Sequence, residues 1–408
     1  MAQSNVKTAT SKTRVGLETA FGSTPGTMYD AIPVQGTVEI DLQQTEIENL
    51  DESVYLYDNK NTVRGYEGGS VKFDMYLKPF GTPLSSSNAP TSNYNQQILE
   101  AFFGGKRVHS GSLVQGSATT TSVPVDNGAT VLTKGQWALF TTTNGLEPAY
   151  VTNMATNTAT VTPALSSTPA SASVMVNGET FYPTDSNTNS LTIQHRKIDG
   201  SDYQWQANGC LPKTIDIKVE REGLATMSCE FEVGLHTTGS VVGVTSTVVT
   251  ETQTTPFAVK DATFIFQPVS TTTRTHYNFE SLALKLDTGL VYVPDVGGST
   301  EGKAGVMRTG TRIFAEATIK FRCDTVLDTR WEQQTDMQMH LMVPKLDRNN
   351  VKRWIVVSIP TCTIVGKPKY TNTDGRLTCE LTVKSKLNAL TTAGSNDISL
   401  APFNIFLG

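Results

Sequence analysis

Hydrophobic and polar residues alternate in two stretches near the start of the chain. In residues 37–43 the apolar positions are Val38, Ile40 and Leu42, and in residues 71–78 every second residue is again apolar. A period of two is typical of a strand that buries one face. The pattern therefore predicts two strands, joined by a long loop.

A different period follows a Pro/Gly/Ser-rich stretch at residues 79–90. Residues 93–103 place Ile98, Leu99 and Phe102 on one helical face, and Gly104 comes directly after them. Glycine commonly follows the last turn of a helix. We therefore predict one amphipathic helix here.

The strand pattern recurs later in the chain at a constant offset. Leu282 matches Val38 at an offset of 244 (282 minus 38), and the same offset places Arg308 on Arg64 and residues 315–321 on 71–77. A slip of one residue would turn every side chain of a strand to the other face. Residues 37–77 and 281–321 are therefore predicted to be two copies of one unit.

The elements after these strands also recur. Residues 331–341, with Met337 and Met339, resemble the helix segment at an offset of 237, and this methionine stripe predicts a second helix packed on a sheet. The closing hairpin around Cys229 recurs around Cys379 at an offset of 150 (379 minus 229). The fall in offset predicts an insertion in the first copy.

The inserted segment covers residues 105–182 and is rich in Thr, Ser and Ala. Asp126-Asn127-Gly128 and Asn144-Gly145 are hairpin turn signals, and short apolar runs lie between and after them. We predict a small β-barrel or sandwich displayed on the outside of the protein. The first unit would then be discontinuous, over 1–104 and 183–250, and the second unit would span 251–408.

Composition supports a mainly β fold, which here comprises the two tandem units, each with one predicted helix, and the small inserted β domain. Among 408 residues, 38% are hydrophobic and only 17% are charged. The net charge is −5 and no run of Lys or Arg occurs, which argues against static nucleic-acid binding. The sequence shows no apolar run long enough for a membrane helix and no signal peptide, so we expect no membrane insertion.

The five cysteines have no CxxC spacing and are predicted to be thiols in the core of a protein from a reducing compartment. The five histidines stand singly, and no catalytic motif accompanies them. The acidic loop residues match no metal-binding loop pattern, although carboxylates could hold a cation. We therefore predict no enzymatic activity, no metal and no cofactor.

Residues 13–25 contain Gly16, Glu18, Gly22 and Pro25, and this segment resembles the entry segment of bacteriophage tail tube proteins. The order of elements is also similar to that family: a strand ending in acidic residues, a long loop closing at residues 64–69, a second strand, a helix and a last hairpin. The insert is similar to small β-barrel insertions in such proteins. The resemblance covers most of the chain.

The resemblance implies a β-sandwich unit that packs side by side into rings, and rings that stack into a tube. Where six single-unit chains form a ring, three chains with two units each would fill the same places. The loops 45–64 and 289–308 would reach the neighbouring ring. The candidate inter-ring residues are Glu46, Glu48, Asp51, Glu52, Arg64 and Arg308.

The same resemblance implies a conduit through which DNA passes without sequence-specific binding. The candidate lumen or interface residues are Asp41, Asp74, Glu230 and Glu380. The implied partners are other copies of this chain and further phage tail proteins, namely the tape measure, terminator and distal tail proteins. The implied location is the virion tail, after synthesis in the bacterial cytoplasm.

Three alternatives remain open at this point. One is another structural part of a virion or injection machine, such as a tail terminator, a decoration protein or the inner tube of a contractile system. Another is a secreted β-rich adhesin or carbohydrate-binding module, which predicts a signal peptide and clustered exposed aromatics. An enzyme is the third.

Overall fold

The structure is a computed structural model in which strands dominate. It describes residues 11–30, 34–47, 63–78, 94–186, 189–197, 203–238, 246–248, 259–294, 303–309, 315–323, 327–346, 352–373, 375–391 and 397–408. The mainly β fold predicted from the sequence is confirmed.

The first part of the chain forms four strands, one helix and a fifth strand that leads into the insert. In chain order these are β1 (Ser11–Leu17), β2 (Met28–Asp30), β3 (Val34–Ile47), β4 (Val63–Tyr76), α1 (Tyr94–Phe103) and β5 (Gly104–His109). The helix agrees with the prediction for residues 93–103. It ends at Phe103, and the next residue, Gly104, has a φ of 79°, in the left-handed region that glycine adopts readily.

The insert and the rest of the first unit follow. The insert contains β6 (Ser112–Leu113), β7 (Ser122–Pro124), α2 (Gly128–Val131), β8 (Trp137–Thr142), β9 (Gly145–Ala155), β10 (Thr158–Thr162) and β11 (Val174–Val176). After it come β12 (Gly178–Pro183), β13 (Leu191–Lys197), β14 (Tyr203–Glu220), β15 (Thr226–Glu232), β16 (Leu235–Thr238) and β17 (Ser246–Val248).

The second unit occupies the last part of the chain. Its elements are β18 (Thr263–Pro268), β19 (His276–Asp287), β20 (Leu290–Pro294), β21 (Lys303–Arg308), β22 (Ala315–Arg322), α3 (Asp328–Glu332), β23 (Met337–Leu346), β24 (Lys352–Thr373), β25 (Arg376–Ser385), α4 (Asp397–Leu400) and β26 (Asn404–Leu407). Among the described residues, no helix is both long and apolar enough to cross a membrane.

The two units have the same strand order. In the first unit the hydrogen-bonded order is β1-β13-β14-β15-β4-β3, and in the second it is β18-β23-β24-β25-β22-β19. Equivalent strands also occur in the same order along the chain. This order is β1, β3, β4, β13, β14 and β15 in the first unit, and β18, β19, β22, β23, β24 and β25 in the second. The shared topology supports the duplication predicted from the sequence.

One sheet runs through both units. Residues 214–220 of β14 pair antiparallel with residues 281–287 of β19, and we call this junction the seam. The seam joins four strands of each unit into the continuous order β3-β4-β15-β14-β19-β22-β25-β24, which we call the eight-stranded sheet.

Two further layers cover one face of the eight-stranded sheet. The largest core cluster lies between this sheet and a second layer that contains β18, β23, the first half of β24, β26 and β12. In β24, Ile355 and Val357 face this core, whereas Val356 faces the opposite way and contacts residues of the insert. The second layer is therefore buried on both faces, which explains why residues 353–364 are almost all buried.

The insert forms a separate six-stranded sheet in the order β6-β11-β8-β9-β10-β7. It has its own apolar cluster, and it also docks Trp137, Leu139 and Tyr150 onto the second layer. Trp137 Nε1 donates a hydrogen bond to Asn404 Oδ1 at 2.8 Å. The insert thus packs on the side of the second layer that faces away from the eight-stranded sheet.

The turn predictions for the insert had different outcomes. The predicted hairpin at Asn144-Gly145 joins β8 to β9 and is confirmed. The predicted hairpin at Asp126–Gly128 is wrong, because Asn127 adopts a left-handed φ of 51° and the chain then continues into the short helix α2. A left-handed asparagine reverses the chain in both structures, so the dipeptide alone does not separate them.

The predicted second helix over residues 331–341 is also wrong. Helix α3 ends at Glu332, and Met337 and Met339 belong to strand β23, where they face the main core. Methionine is flexible enough to suit either element, and here β18 and β24 supply strand partners on both sides. The spacing of Met337 and Met339 therefore follows the period of two that is typical of a strand.

The two copies keep the same facing but slide relative to each other. Glu39 pairs with Lys72, so a constant offset of 244 would pair Ala283 with Glu316, yet Ala283 pairs with Thr318. A slide of two residues leaves every side chain on its original face. The offset in the sequence therefore predicts which face of the sheet each side chain occupies. It does not predict which residues are opposite each other on neighbouring strands.

All five cysteines are buried thiols that form no disulfide, as predicted. Burial raises the pKa of Cys379 to about 12, so this thiol is protonated at neutral pH.

Candidate assembly surface

The two outer strands of the eight-stranded sheet each have one side without a strand partner among the described residues. Within the ranges that the structure describes, strand β3 pairs only with β4, and residues 363–373 of β24 pair only with β25. We call these two sides the free edges. An open edge presents unpaired backbone N–H and C=O groups that can accept a further strand.

The apolar residues of β3 are less covered than those at the equivalent places in β19. Leu282, Leu284 and Leu286 have 1%, 3% and 1% of their surface exposed, respectively. Val38, Ile40 and Leu42 pack on the same core but are only partly buried. The difference follows from the missing neighbour, because β19 has the seam on its outer side and β3 does not.

The free edges carry opposite charges. Residues 34–43 of β3 contain Glu39 and Asp41 and no basic residue, and both carboxylates are exposed. Residues 363–373 of β24 contain Lys367 and Lys369 and no acidic residue, and both lysines are exposed. Opposite charges favour pairing of the two edges, whereas two copies of the same edge would repel each other.

The candidate lumen or interface residues lie together. Asp41, Asp74, Glu230 and Glu380 all sit on the face of the eight-stranded sheet that points away from the main core. All four stand at polar positions of the strand alternation in the sequence, which predicts this facing.

Several lysines on this polar face are paired with carboxylates. Lys72 Nζ lies 2.9 Å from Glu230 Oε1, and Lys320 Nζ lies 3.4 Å from Glu280 Oε2. The hydrogen bond from Lys72 lowers the pKa of Glu230 and raises that of Lys72. At the free edge Lys369 lies 3.9 Å from Glu380, so the same kind of pair recurs in the second unit.

The segment from Gly16 to Pro25 has a structural role in the folded chain. The Glu18 carboxylate is buried and accepts four hydrogen bonds, from Gly22 N (2.8 Å), Gly209 N (2.7 Å), Ser190 Oγ (2.6 Å) and Thr192 Oγ1 (2.8 Å). A side chain at Gly16 would collide with Pro25. The motif therefore fastens the start of the chain to β13 and β14.

The long loop of the second copy lies against the first unit of the same chain. Its hairpin, β20 and β21, is held by Tyr292 Oη, which lies within hydrogen-bond distance of the carbonyl oxygens of Gly209 and Glu232, at 2.9 and 2.7 Å, and shares its one proton between them. Lys303 Nζ donates to the carbonyl of Gly234 at 2.7 Å. Arg308 closes the base of the hairpin with a 3.1 Å hydrogen bond to the Thr288 carbonyl.

Two other candidate inter-ring residues, Glu46 and Arg64, lie at the matching end of the first copy. Their backbones are register partners, near the end of β3 and the start of β4. Glu48, Asp51 and Glu52 fall in residues 48–62, outside the described part of the chain. Their contact with a neighbouring ring stays a prediction.

The described residues contain no group of three or more His, Cys, Asp or Glu side chains placed to hold a metal ion. His340 is fully buried beside Trp137 and Tyr150, and burial lowers its pKa to about 3. Burial likewise lowers the pKa of His109 to about 4. Both neutral imidazoles lie near the contact of the insert with the second layer, where they serve packing.

No protein-family model matches the chain, and a comparison with curated protein sequences also gives no match. The alternation of residues in the sequence predicts the polar face but not the two free edges. The Lys-Pro-Lys run at 367–369 is a signal that could have marked β24 as an edge, since proline and lysine are common on strands with an open side.

Proposed function

We propose that this protein is a structural subunit that closes into rings through its free edges, with three chains to a ring, and that stacked rings form the tube of a bacteriophage tail. The observation that carries the proposal is the seam. Within one chain, the edge of the first unit already pairs with the first strand of the second unit in the eight-stranded sheet.

The free edges repeat this arrangement at the two ends of the chain. Strand β24 occupies the place in the second unit that β14 occupies in the first, and β3 corresponds to β19. An antiparallel contact between β24 of one chain and β3 of the next would therefore repeat the seam between chains. Ring closure would leave no open strand edge in the barrel.

The dimensions suit a conduit. Three chains would contribute 24 strands, since each eight-stranded sheet supplies eight. With a strand spacing of about 4.8 Å and a tilt of about 40°, such a barrel has a backbone diameter of roughly 50 Å. That diameter exceeds the width of a DNA duplex, with space left for the side chains that line the lumen.

The polar face would line the lumen, because the second layer and the insert cover the opposite face of the sheet. Carboxylates paired with the lysines of this face weaken their attraction for DNA phosphates. DNA would then pass without being held. Within the virion, the partners would be further copies of this chain and the tape measure, terminator and distal tail proteins.

The first test is the mass and shape of the purified full-length protein. We expect particles of three chains of 44.1 kDa, about 132 kDa, and rings or tubes of threefold symmetry by negative-stain microscopy. A protein that stays monomeric at high concentration contradicts the proposal.

The second test places cysteines across the expected ring contact. Asp41→Cys combined with Thr371→Cys or Lys369→Cys puts both thiols on the polar face, within reach of each other if the edges pair. We expect at least one of these pairs to give covalent multimers under mild oxidation. The control, Asp41→Cys with Asn372→Cys, puts the second thiol on the opposite face and should give none. Equal cross-linking in the control would exclude ordered edge pairing.

A further inference from the structure

A basic pocket lies at one end of the eight-stranded sheet. It has a volume of about 240 Å³, and its cationic side chains are Arg221, Lys260, Arg322 and Arg376. These four residues come from separate places in the sequence, so the pocket exists only in the folded chain. Tyr277 and Asn278 complete the polar part of its lining.

Cations outnumber the carboxylates that contact them. Arg322 Nε lies 3.2 Å from Glu280 Oε1, and Arg221 Nε lies 3.7 Å from the exposed Glu222. Neither Lys260 nor Arg376 forms an ion pair with a carboxylate of the described residues. The exposed Asp261 is the neighbour of Lys260 along the chain. The pocket therefore retains positive charge that an oxyanion could neutralise.

The position of the pocket relative to the strands identifies the source of that oxyanion. Arg221 follows the last residue of β14, Arg322 ends β22, and Arg376 begins β25, so the pocket marks one end of the sheet. The segment between β3 and β4 leaves from the opposite end, where Ile47 pairs with Val63. Residues 46–58 contain five carboxylates and no Lys or Arg.

We infer that the basic pocket binds carboxylates of residues 46–58 from a second copy of this chain, stacked end to end along the strand direction. The inference rests on the proposed tube, because only stacking in one direction brings the acidic end of one sheet to the basic end of the next. Arginine binds carboxylates through paired, charge-assisted hydrogen bonds, so such a contact also fixes the relative rotation of the rings.

The experiment compares stacking with ring formation in the full-length protein. We expect Arg221→Glu with Arg376→Glu to leave rings intact, because both side chains are exposed, and to raise the protein concentration required for tubes at least about tenfold. Asp51→Lys with Glu52→Lys should have the same effect, and mixing the two variants should restore tubes. The readouts are ring mass and tube length by microscopy.

Three results would overturn the inference. They are unchanged tubes in the arginine variant, no recovery on mixing the two variants, and binding of a DNA duplex to wild-type rings that is lost in the arginine variant. The last result would assign the pocket to phosphate. Lys134→Glu in the insert is the control for charge reversal outside the pocket and should stack normally. Absence of rings in the wild type would instead contradict the proposed function.

Discussion

The seam and the free edges are formed by equivalent strands of the two units, which are paired at the seam and unpaired at the free edges. At the seam, β14 and β19 cover each other, and the leucines of β19 are buried. At the free edges, β24 and β3 have no such neighbour in the described part of the chain, and the apolar residues of β3 remain partly exposed. One chain therefore contains this type of strand both with and without its neighbour. The difference indicates what an edge gains when it finds a partner.

The largest expected effect on stability comes from truncating equivalent apolar side chains, one at the seam and one at a free edge. Leu284→Ala in β19 should lower the free energy of unfolding by about 2–5 kcal/mol, because it leaves a cavity in a buried site. Ile40→Ala, at the equivalent place in β3, should cost about half as much in the isolated chain and more in assembled rings. Thermal midpoints measured below and above the assembly concentration check this. Equal costs in both states would mean that β3 gains no cover on assembly.

A second prediction concerns the insert contact, which differs from the seam in holding a buried histidine. The pKa of His340 is about 3 when folded, against an ordinary value of 6.5, so the unfolded chain binds the proton first as pH falls. Stability should therefore decrease between pH 6.5 and 3, by about 2 kcal/mol between pH 7 and 5 from this group. His340→Gln should flatten the dependence of the thermal midpoint on pH.

The exposed His276 gives the control for that measurement. His276→Gln should leave most of the acid sensitivity in place, because its side chain is not enclosed by the contact. If both variants show the same pH dependence as the wild type, burial of His340 does not set the acid sensitivity.

A smaller effect tests the charges of the free edges. Asp41→Lys places a cation near Lys367 and Lys369 of the neighbouring chain and should weaken ring closure, by up to about 1 kcal/mol at each contact. Lys369→Glu in the same chain should restore closure. The ratio of rings to single chains by mass photometry reports both. The monomer should keep its melting temperature in each variant, since both residues are exposed.

The smallest effect on stability is expected on the polar face, at Glu230 and Glu380, which occupy equivalent places in the closing hairpins of the two copies. Glu230→Lys and Glu380→Lys each remove the carboxylate beside a lysine. These exposed pairs contribute little to folding, but in an assembled tube the variants should bind duplex DNA, in a salt-dependent way, and slow ejection. Unchanged ejection in the double variant would remove these residues from the lumen.

The sequence by itself determined the mainly β fold, the facing of the repeated strands, helix α1 and the thiol state of the cysteines. Period and composition carry this information because burial of one face depends on local alternation. It also selected the polar face, since Asp41, Asp74, Glu230 and Glu380 fall at alternating positions.

Only the tertiary structure decided the rest. The segment that begins at Met337 forms a strand because strands β18 and β24 pair with it on both sides, whereas its methionine pattern fits a helix or a strand. The two-residue slide between the copies, the seam, the free edges and the basic pocket all depend on which strands become neighbours. Pairing between residues distant in sequence is set by the packing of whole sheets, and local periodicity does not encode it.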